Sequence, residues 1–90
     1  MTLMVVSRAH AETAFKLAEE LSREGELTIL FTGRGTHHIS DIELIERLSS
    51  FASLISIETE FDSPLDLVQA IGYDQFVKIV EKCERSFSWI

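Results

Sequence analysis

This chain contains little cysteine, little proline and few basic residues, and each shortage excludes a class of protein. Its single cysteine, Cys83, cannot form a disulfide within the chain and is typical of a reducing compartment. One proline and four glycines are too few for a proline-rich or glycine-rich linker. Eight basic residues against fifteen acidic ones give a net charge of −7. Direct nucleic-acid binding is therefore not expected, because phosphate contacts need clustered Lys and Arg.

No apolar run in the sequence is long enough to cross a membrane. The first apolar run, Leu3 to Val6, is short and lacks the preceding basic residues of a signal peptide. We therefore expect a cytoplasmic protein without membrane contact. Ninety residues predict a single domain spanning positions 1–90, and domains this small are only marginally stable alone. Oligomerisation is a natural way to bury the remaining apolar surface.

Hydrophobic spacing predicts strands that alternate with helices. Strands are expected at residues 3–6, 27–32 and 53–57, with a short final strand at 87–90. The first helix is expected at residues 10–24 and ends at Gly25, and the second begins at Ser40 or Asp41. A third helix is expected from Asp62 to Gly72, and a last one at residues 73–84. This order predicts a small three-layer α/β fold, in which helices flank a mainly parallel sheet.

Apolar spacing also predicts which side chains of the later helices face the core. They are Ile42, Ile45 and Leu48 in the middle helix, and Phe76, Val77, Val80 and Cys83 in the last one. The last helix and the strand after it also carry four large aromatic side chains: Tyr73, Phe76, Phe87 and Trp89. Aromatic surface is stabilising only when it is buried. We therefore expect this end of the chain to lie in the core or in a subunit contact.

The segment Gly33 to His38 follows the second strand, where parallel sheets place their sites. Its simplest interpretation is a surface or interface loop. Arg34, with His37 and His38, is a candidate for binding a small anion. A metal site has less support, because adjacent histidines on an extended loop point in different directions. We predict no metal and no cofactor.

Cys83 allows two interpretations. A persulfide carrier or sulfurtransferase needs an exposed thiolate, usually near a helix N-terminus or a cation. Cys83 instead lies late in its predicted helix, where the helix dipole raises a thiol pKa. It also lies on the apolar face, seven residues after Phe76. A buried structural cysteine is the better prediction.

Two further groups of polar residues have simpler explanations than chemistry. A solvated loop and a helix cap explain the acids that follow the third strand, Glu58, Glu60, Asp62 and Asp66. Ser7, His10 and Asp41 contain the residue types of a hydrolase triad, but the chain has no nucleophile elbow of the G-x-S-x-G type.

The tail carries a family resemblance. Its sequence Ile71-Gly72-Tyr73-Asp74-Gln75-Phe76-Val77-Lys78, followed by Ser88-Trp89, resembles the end of the DsrH/TusB family, which has a Tyr-x-x-Phe-Val helix and a terminal Trp. The resemblance implies a DsrE/DsrF/DsrH-like α/β fold. It also implies a cytoplasmic subunit that associates with DsrE/TusD-like and DsrF/TusC-like partners. Those assemblies relay persulfide sulfur in 2-thiolation of the tRNA wobble uridine or in dissimilatory sulfur oxidation.

The chain departs from the family pattern in three places. The sulfur-accepting cysteine of the DsrE/TusD-type subunit would fall within residues 58–71, which contain no cysteine, so Cys83 inherits no role. Residues 67–71 would form a strand in the family, whereas the capping pattern at Ser63 and Pro64 predicts a helix. The Gly-Arg-Gly-Thr-His-His segment differs from the Asp-Gly-Val-type loop of the family.

Three functional hypotheses follow. The first is a non-catalytic, accessory subunit of a sulfur-relay assembly. The second is a stand-alone homo-oligomeric DsrE-like protein that binds a small anionic ligand at Arg34, His37 and His38. The third is an enzyme proper, a sulfurtransferase that uses Cys83.

Overall fold

The computed structural model describes residues 1–56 and 67–89. Five strands lie in this part of the chain: β1 (Thr2–Val6), β2 (Leu27–Phe31), β3 (Ser53–Ser56), β4 (Val68–Ala70) and β5 (Arg85–Trp89). The helices are α1 (Glu12–Ser22), a 3-10 helix (Gly33–Ser40), α2 (Ile42–Ser49) and α3 (Tyr73–Lys82). None of these helices has the length and apolarity needed to cross a membrane.

The five strands form one sheet in the order β4-β3-β2-β1-β5, and every neighbouring pair is parallel. In this register Val6, at the end of β1, pairs with Phe31 on one side and with Trp89 on the other. The chain moves outward from β1 to β4 and then returns through α3 to the opposite edge. The predicted α/β fold with a parallel sheet is confirmed.

Helices cover both faces of the sheet. The larger core lies between one face and the helices α1 and α2, and includes Met4, Phe15 and Ile45. The smaller core lies on the other face, where Leu3, Leu30, Ile55 and Ile71 are packed by side chains of α3. Alternate side chains of one strand supply the two cores, as with Leu3 and Met4 of β1, because successive residues of a strand point to opposite faces.

Several predicted boundaries are wrong by a few residues. Helix α1 ends at Ser22 with Arg23 as its cap, so Gly25 lies beyond the helix end. The predicted loop at 33–38 is part of the 3-10 helix. Residues 68–70 form β4, as the family pattern implied, and Gly72 begins α3 rather than ending an earlier helix. The predicted helix start at Asp62 to Asp66 and the last residue, Ile90, lie outside the described residues.

The predicted inner faces need two corrections. Ile42 is 45% exposed, while Ile45 and Leu48 of the same helix are buried. In α3, Val77 and Val80 are exposed, and Phe76, Ile79 and Cys83 pack against the smaller core. The spacing explains this, because positions 76, 79 and 83 follow steps of three and four residues along one helix face. Positions 77 and 80 belong to the adjacent face.

Candidate functional site

The carboxyl ends of all five parallel strands lie at one edge of the sheet, and those of β2, β1 and β5 are neighbours there. Sites of parallel α/β proteins lie at this edge. Here it carries the segment after β1, residues 7–11, and the 3-10 helix after β2. It also carries Trp89, the last residue of β5.

Trp89 fixes the segment after β1 through both its backbone and its side chain. The carbonyl oxygen of Trp89 accepts hydrogen bonds from the backbone N–H and from the hydroxyl of Ser7, each at 3.1 Å. Its indole N–H donates to the carbonyl oxygen of His10 at 3.1 Å. The C-terminal strand therefore determines the path of residues 7–10.

Two glycines bring the 3-10 helix close to the same segment. A Cβ atom on Gly35 would overlap the carbonyl oxygen of Val6 and would lie 2.7 Å from its carbonyl carbon. A Cβ atom on Gly33, which has a φ of +56°, would lie 4.0 Å from the carbonyl oxygen of Ser7. The start of the 3-10 helix thus crosses the end of β1 in near contact, and Arg34 lies between the two glycines. Only glycine permits this approach at position 35.

His38 has a packing role at this edge. Its ring lies edge-on to Phe15, with ring centroids 5.0 Å apart, and near Phe31, with centroids 6.3 Å apart. Its Nε2 atom is 2.9 Å from the carbonyl oxygen of Arg8. Because a carbonyl oxygen can only accept, Nε2 must carry a proton. The ring therefore connects α1, β2 and the segment after β1.

Two adjoining pockets open beside these contacts. The larger has a volume of about 710 Å³ and lies between α1, the 3-10 helix and α2. Its charged and polar lining includes His10, Glu12, Lys16, His37, Asp41, Glu43 and Arg47. The smaller has a volume of about 290 Å³ and is lined by Arg8, Ala9, His10 and Arg34. The pockets share Ala9 and His10, so they adjoin at the segment after β1.

The three predicted binding residues are divided between these pockets. Arg34 lies in the smaller pocket, and His37 and His38 line the larger one. Sequence reasoning did not single out Arg8 as a ligand-binding candidate. The available signal was its position directly after β1, because the carboxyl ends of neighbouring parallel strands share one edge.

The described residues do not assemble the other candidate chemistry. The Ser7 hydroxyl donates to Trp89, and the Asp41 carboxylate accepts from the backbone N–H of Leu44 at 3.2 Å as the cap of α2. Neither side chain is hydrogen-bonded to His10, so the triad is not formed. No three His, Cys, Asp or Glu side chains within residues 1–56 and 67–89 are grouped as metal ligands. The acids at 58, 60, 62 and 66 lie outside the described residues.

No model of a protein family matches this chain, and no curated protein is significantly similar to it. The likeness to the DsrH/TusB family therefore depends on the tail residues themselves and on the order of the elements.

Cys83 is partly buried at the C-terminal cap of α3 and packs against the smaller core. Burial raises the pKa of its thiol above the ordinary value, and the N-terminal ammonium of Met1 opposes this with a smaller effect. A raised pKa leaves little thiolate at neutral pH, and the thiolate is the reactive form. The position is poorly suited to a sulfur carrier.

Helix α3 also presents an apolar surface to solvent. Tyr73 is 74% exposed, Val77 is 51% exposed and Val80 is 44% exposed. These residues are spaced by four and three positions, so they lie on one face of the helix. We call this face the α3 stripe. It is adjacent to the side of α3 that packs on the sheet through Phe76 and Ile79.

Proposed function

We propose that the protein is an accessory subunit of an intracellular sulfur-relay assembly. In this role it supports persulfide transfer by a partner and does not itself carry the sulfur. Its partners would be DsrE/TusD-like and DsrF/TusC-like subunits. The relay would serve 2-thiolation of the tRNA wobble uridine or dissimilatory sulfur oxidation. The tail's resemblance supports the pathway, and the geometry of the tail supports the accessory role.

The observation that carries the proposal is the α3 stripe. A single exposed apolar side chain is normal on a protein surface. Tyr73, Val77 and Val80, however, are adjacent on one short helix that has no buried residue. Contiguous apolar surface of this kind marks a protein contact. The stripe also lies within the stretch that resembles the DsrH/TusB family.

The position of Cys83 supports a non-catalytic role. The thiol packs against the inner side of α3, and its raised pKa disfavours the thiolate. It therefore contributes to packing on the side of the helix that faces the sheet. The stripe lies on the adjacent face of the helix and is available to a partner.

A stand-alone homo-oligomer is the second candidate, and the charges beside the stripe favour it. Asp74, Lys78, Glu81 and Lys82 alternate in sign along α3. Two copies of the helix packed antiparallel can place opposite charges next to each other. A second copy of this chain would then cover the stripe.

Association measurements distinguish these candidates. The chain is purified alone and then mixed with DsrE-like and DsrF-like chains from the same genome, and molecular masses are measured by sedimentation equilibrium. The test variant is Val77→Ser with Val80→Ser. The matched control is Leu17→Ser on α1, because Leu17 is also a partly exposed apolar residue (37%) but lies away from the stripe.

We expect a mixed complex that the double variant loses and the control retains. If the isolated chain forms a dimer and does not bind the added chains, the second candidate replaces the first. A chain that remains monomeric in every mixture would overturn both candidates.

A further inference from the structure

We propose that the smaller pocket binds the phosphate group of a small organic molecule, with Arg8 and Arg34 as the anion ligands. The rest of that molecule would lie in the adjoining larger pocket. This inference does not depend on the sulfur-relay proposal, because the isolated chain contains the whole site.

The backbone brings the two arginines together. Arg34 lies between Gly33 and Gly35, and Gly35 contacts the end of β1 so closely that no larger residue fits. Arg8 is the second residue after β1. Both arginines therefore belong to segments that cross at the carboxyl edge of the sheet, and both residues line the pocket of about 290 Å³. Two planar guanidinium groups, each with several N–H donors, are well suited to an anion with several oxygens.

The described lining of the smaller pocket carries charge of one sign. Among the residues that the structure describes, Arg8, Ala9, His10 and Arg34 line it, and none is a carboxylate. Neither arginine forms an ion pair within the part of the chain that the structure describes. In a protein with a net charge of −7, two arginines that line one pocket are an unusual concentration of positive charge. An anion bound between them would neutralise this charge.

Two backbone carbonyl groups of residues that line the smaller pocket are already engaged. The carbonyl oxygen of Arg8 accepts from His38 Nε2 at 2.9 Å, and that of His10 accepts from the Trp89 indole at 3.1 Å. These two bonds hold both oxygens toward protein donors. His38 and Trp89 thus act as positioning residues for the anion site.

The volumes indicate the size of the ligand. Pockets for drug-sized molecules usually enclose roughly 300–1,000 Å³. The smaller pocket, at about 290 Å³, suits a phosphate group, and the larger one, at about 710 Å³, can hold an organic remainder. Phe15 supplies an aromatic wall, while Lys16 and His37 supply polar groups.

Titration calorimetry at constant ionic strength tests this assignment. The probes are inorganic phosphate and phenyl phosphate, which share the anion and differ in the organic part. The variants are Arg8→Ala, Arg34→Ala and Arg34→Lys, and the control is Arg23→Ala. Arg23 is exposed at the end of α1 and lines neither pocket. Thermal unfolding of each variant verifies that it is folded, and Arg34→Gln replaces Arg34→Ala if the latter is not.

We expect saturable binding of phenyl phosphate, tighter than that of inorganic phosphate. Removing either arginine should weaken it at least about tenfold, since each contributes a charge-assisted hydrogen bond. Arg34→Lys should have a smaller effect, and Arg23→Ala should have none. Absence of saturable binding, or an equal loss with Arg23→Ala, would overturn the site. Equal affinity for the two probes would overturn the organic ligand in favour of the free anion.

Discussion

The indole nitrogen of Trp89 lies 3.1 Å from the carbonyl oxygen of His10, a residue 79 positions earlier in the chain. This bond closes the edge of the sheet between β1 and β5. It connects the segment that carries the family resemblance to the segment that lines both pockets. The end of the chain therefore contributes to the fold and to the geometry of the candidate anion site at once.

Replacing Trp89 by Phe should reduce the free energy of unfolding by about 1 kcal/mol or slightly more. The ring would still pack on the larger core, but the hydrogen bond to His10 would be lost, and such bonds contribute about 0.5–1.5 kcal/mol. Urea unfolding measures the effect. The control is Ser88→Ala, an exposed neighbour, which should change stability by less than about 0.5 kcal/mol. Equal stability of Trp89→Phe and wild type would show that the bond does not hold the segment.

Gly35→Ala should be strongly destabilising, and Gly72→Ala should not. The new methyl group at position 35 would meet the backbone of Val6, which cannot move aside as a side chain can, so we expect a loss of about 1–3 kcal/mol. At position 72 a Cβ atom has no neighbour within 4 Å. Thermal unfolding of the two variants under the same conditions makes the comparison. Similar midpoints would contradict the close crossing at Gly35.

Substitutions on the two faces of α3 should affect stability differently. Val77→Ser should change the free energy of unfolding by less than about 0.5 kcal/mol, because Val77 is exposed and the two residues have similar helix propensities. Phe76→Ala should cost about 2 kcal/mol or more, because Phe76 packs on the smaller core. Chemical unfolding checks both values. A large loss of stability in Val77→Ser would place that side chain in the core and would contradict its assignment to the α3 stripe.

The raised pKa of Cys83 predicts a loss of stability at alkaline pH. Below the ordinary thiol pKa, both the folded and the unfolded chain are protonated at Cys83, and the contribution is fully present. As pH rises from that value through the higher pKa of the folded state, the unfolded chain loses its proton first, and stability falls.

This effect is measured as the difference between wild type and Cys83→Ala in urea unfolding from about pH 8 to about pH 10. As the pH rises, the free energy of unfolding of wild type should fall relative to that of Cys83→Ala. Other groups that titrate in this range are common to both proteins and cancel. A constant difference would mean that burial does not perturb the thiol.

The fold was largely predictable because most of its strands and α-helices have a distinct apolar pattern. The alternation of strands and helices in the first half was sufficient to predict the parallel sheet. Residues 68–70 were ambiguous, because a three-residue strand is too short to show a period of two. The predicted inner face of α3 was partly wrong because five of its ten residues are apolar and form two overlapping faces. Only packing against the sheet decides between these faces.

The candidate site was predictable in position but not in composition. Parallel order placed it at the ends of β1 and β2, and Arg34 was identified there. Sequence spacing could not show that Gly35 contacts Val6 or that His38 packs on Phe15, because both are contacts between distant segments. For the same reason Arg8 was overlooked as the partner of Arg34.

Persulfide transfer through a reconstituted assembly tests the central claim, that this chain contributes a surface and not a thiol. The measurement is the rate at which sulfur passes from a cysteine desulfurase to the final acceptor, with this chain supplied as wild type, as Cys83→Ala, or as Val77→Ser with Val80→Ser. We expect transfer at the wild-type rate with Cys83→Ala and loss of transfer with the double variant. Loss of transfer with Cys83→Ala, together with normal transfer in the double variant, would contradict it.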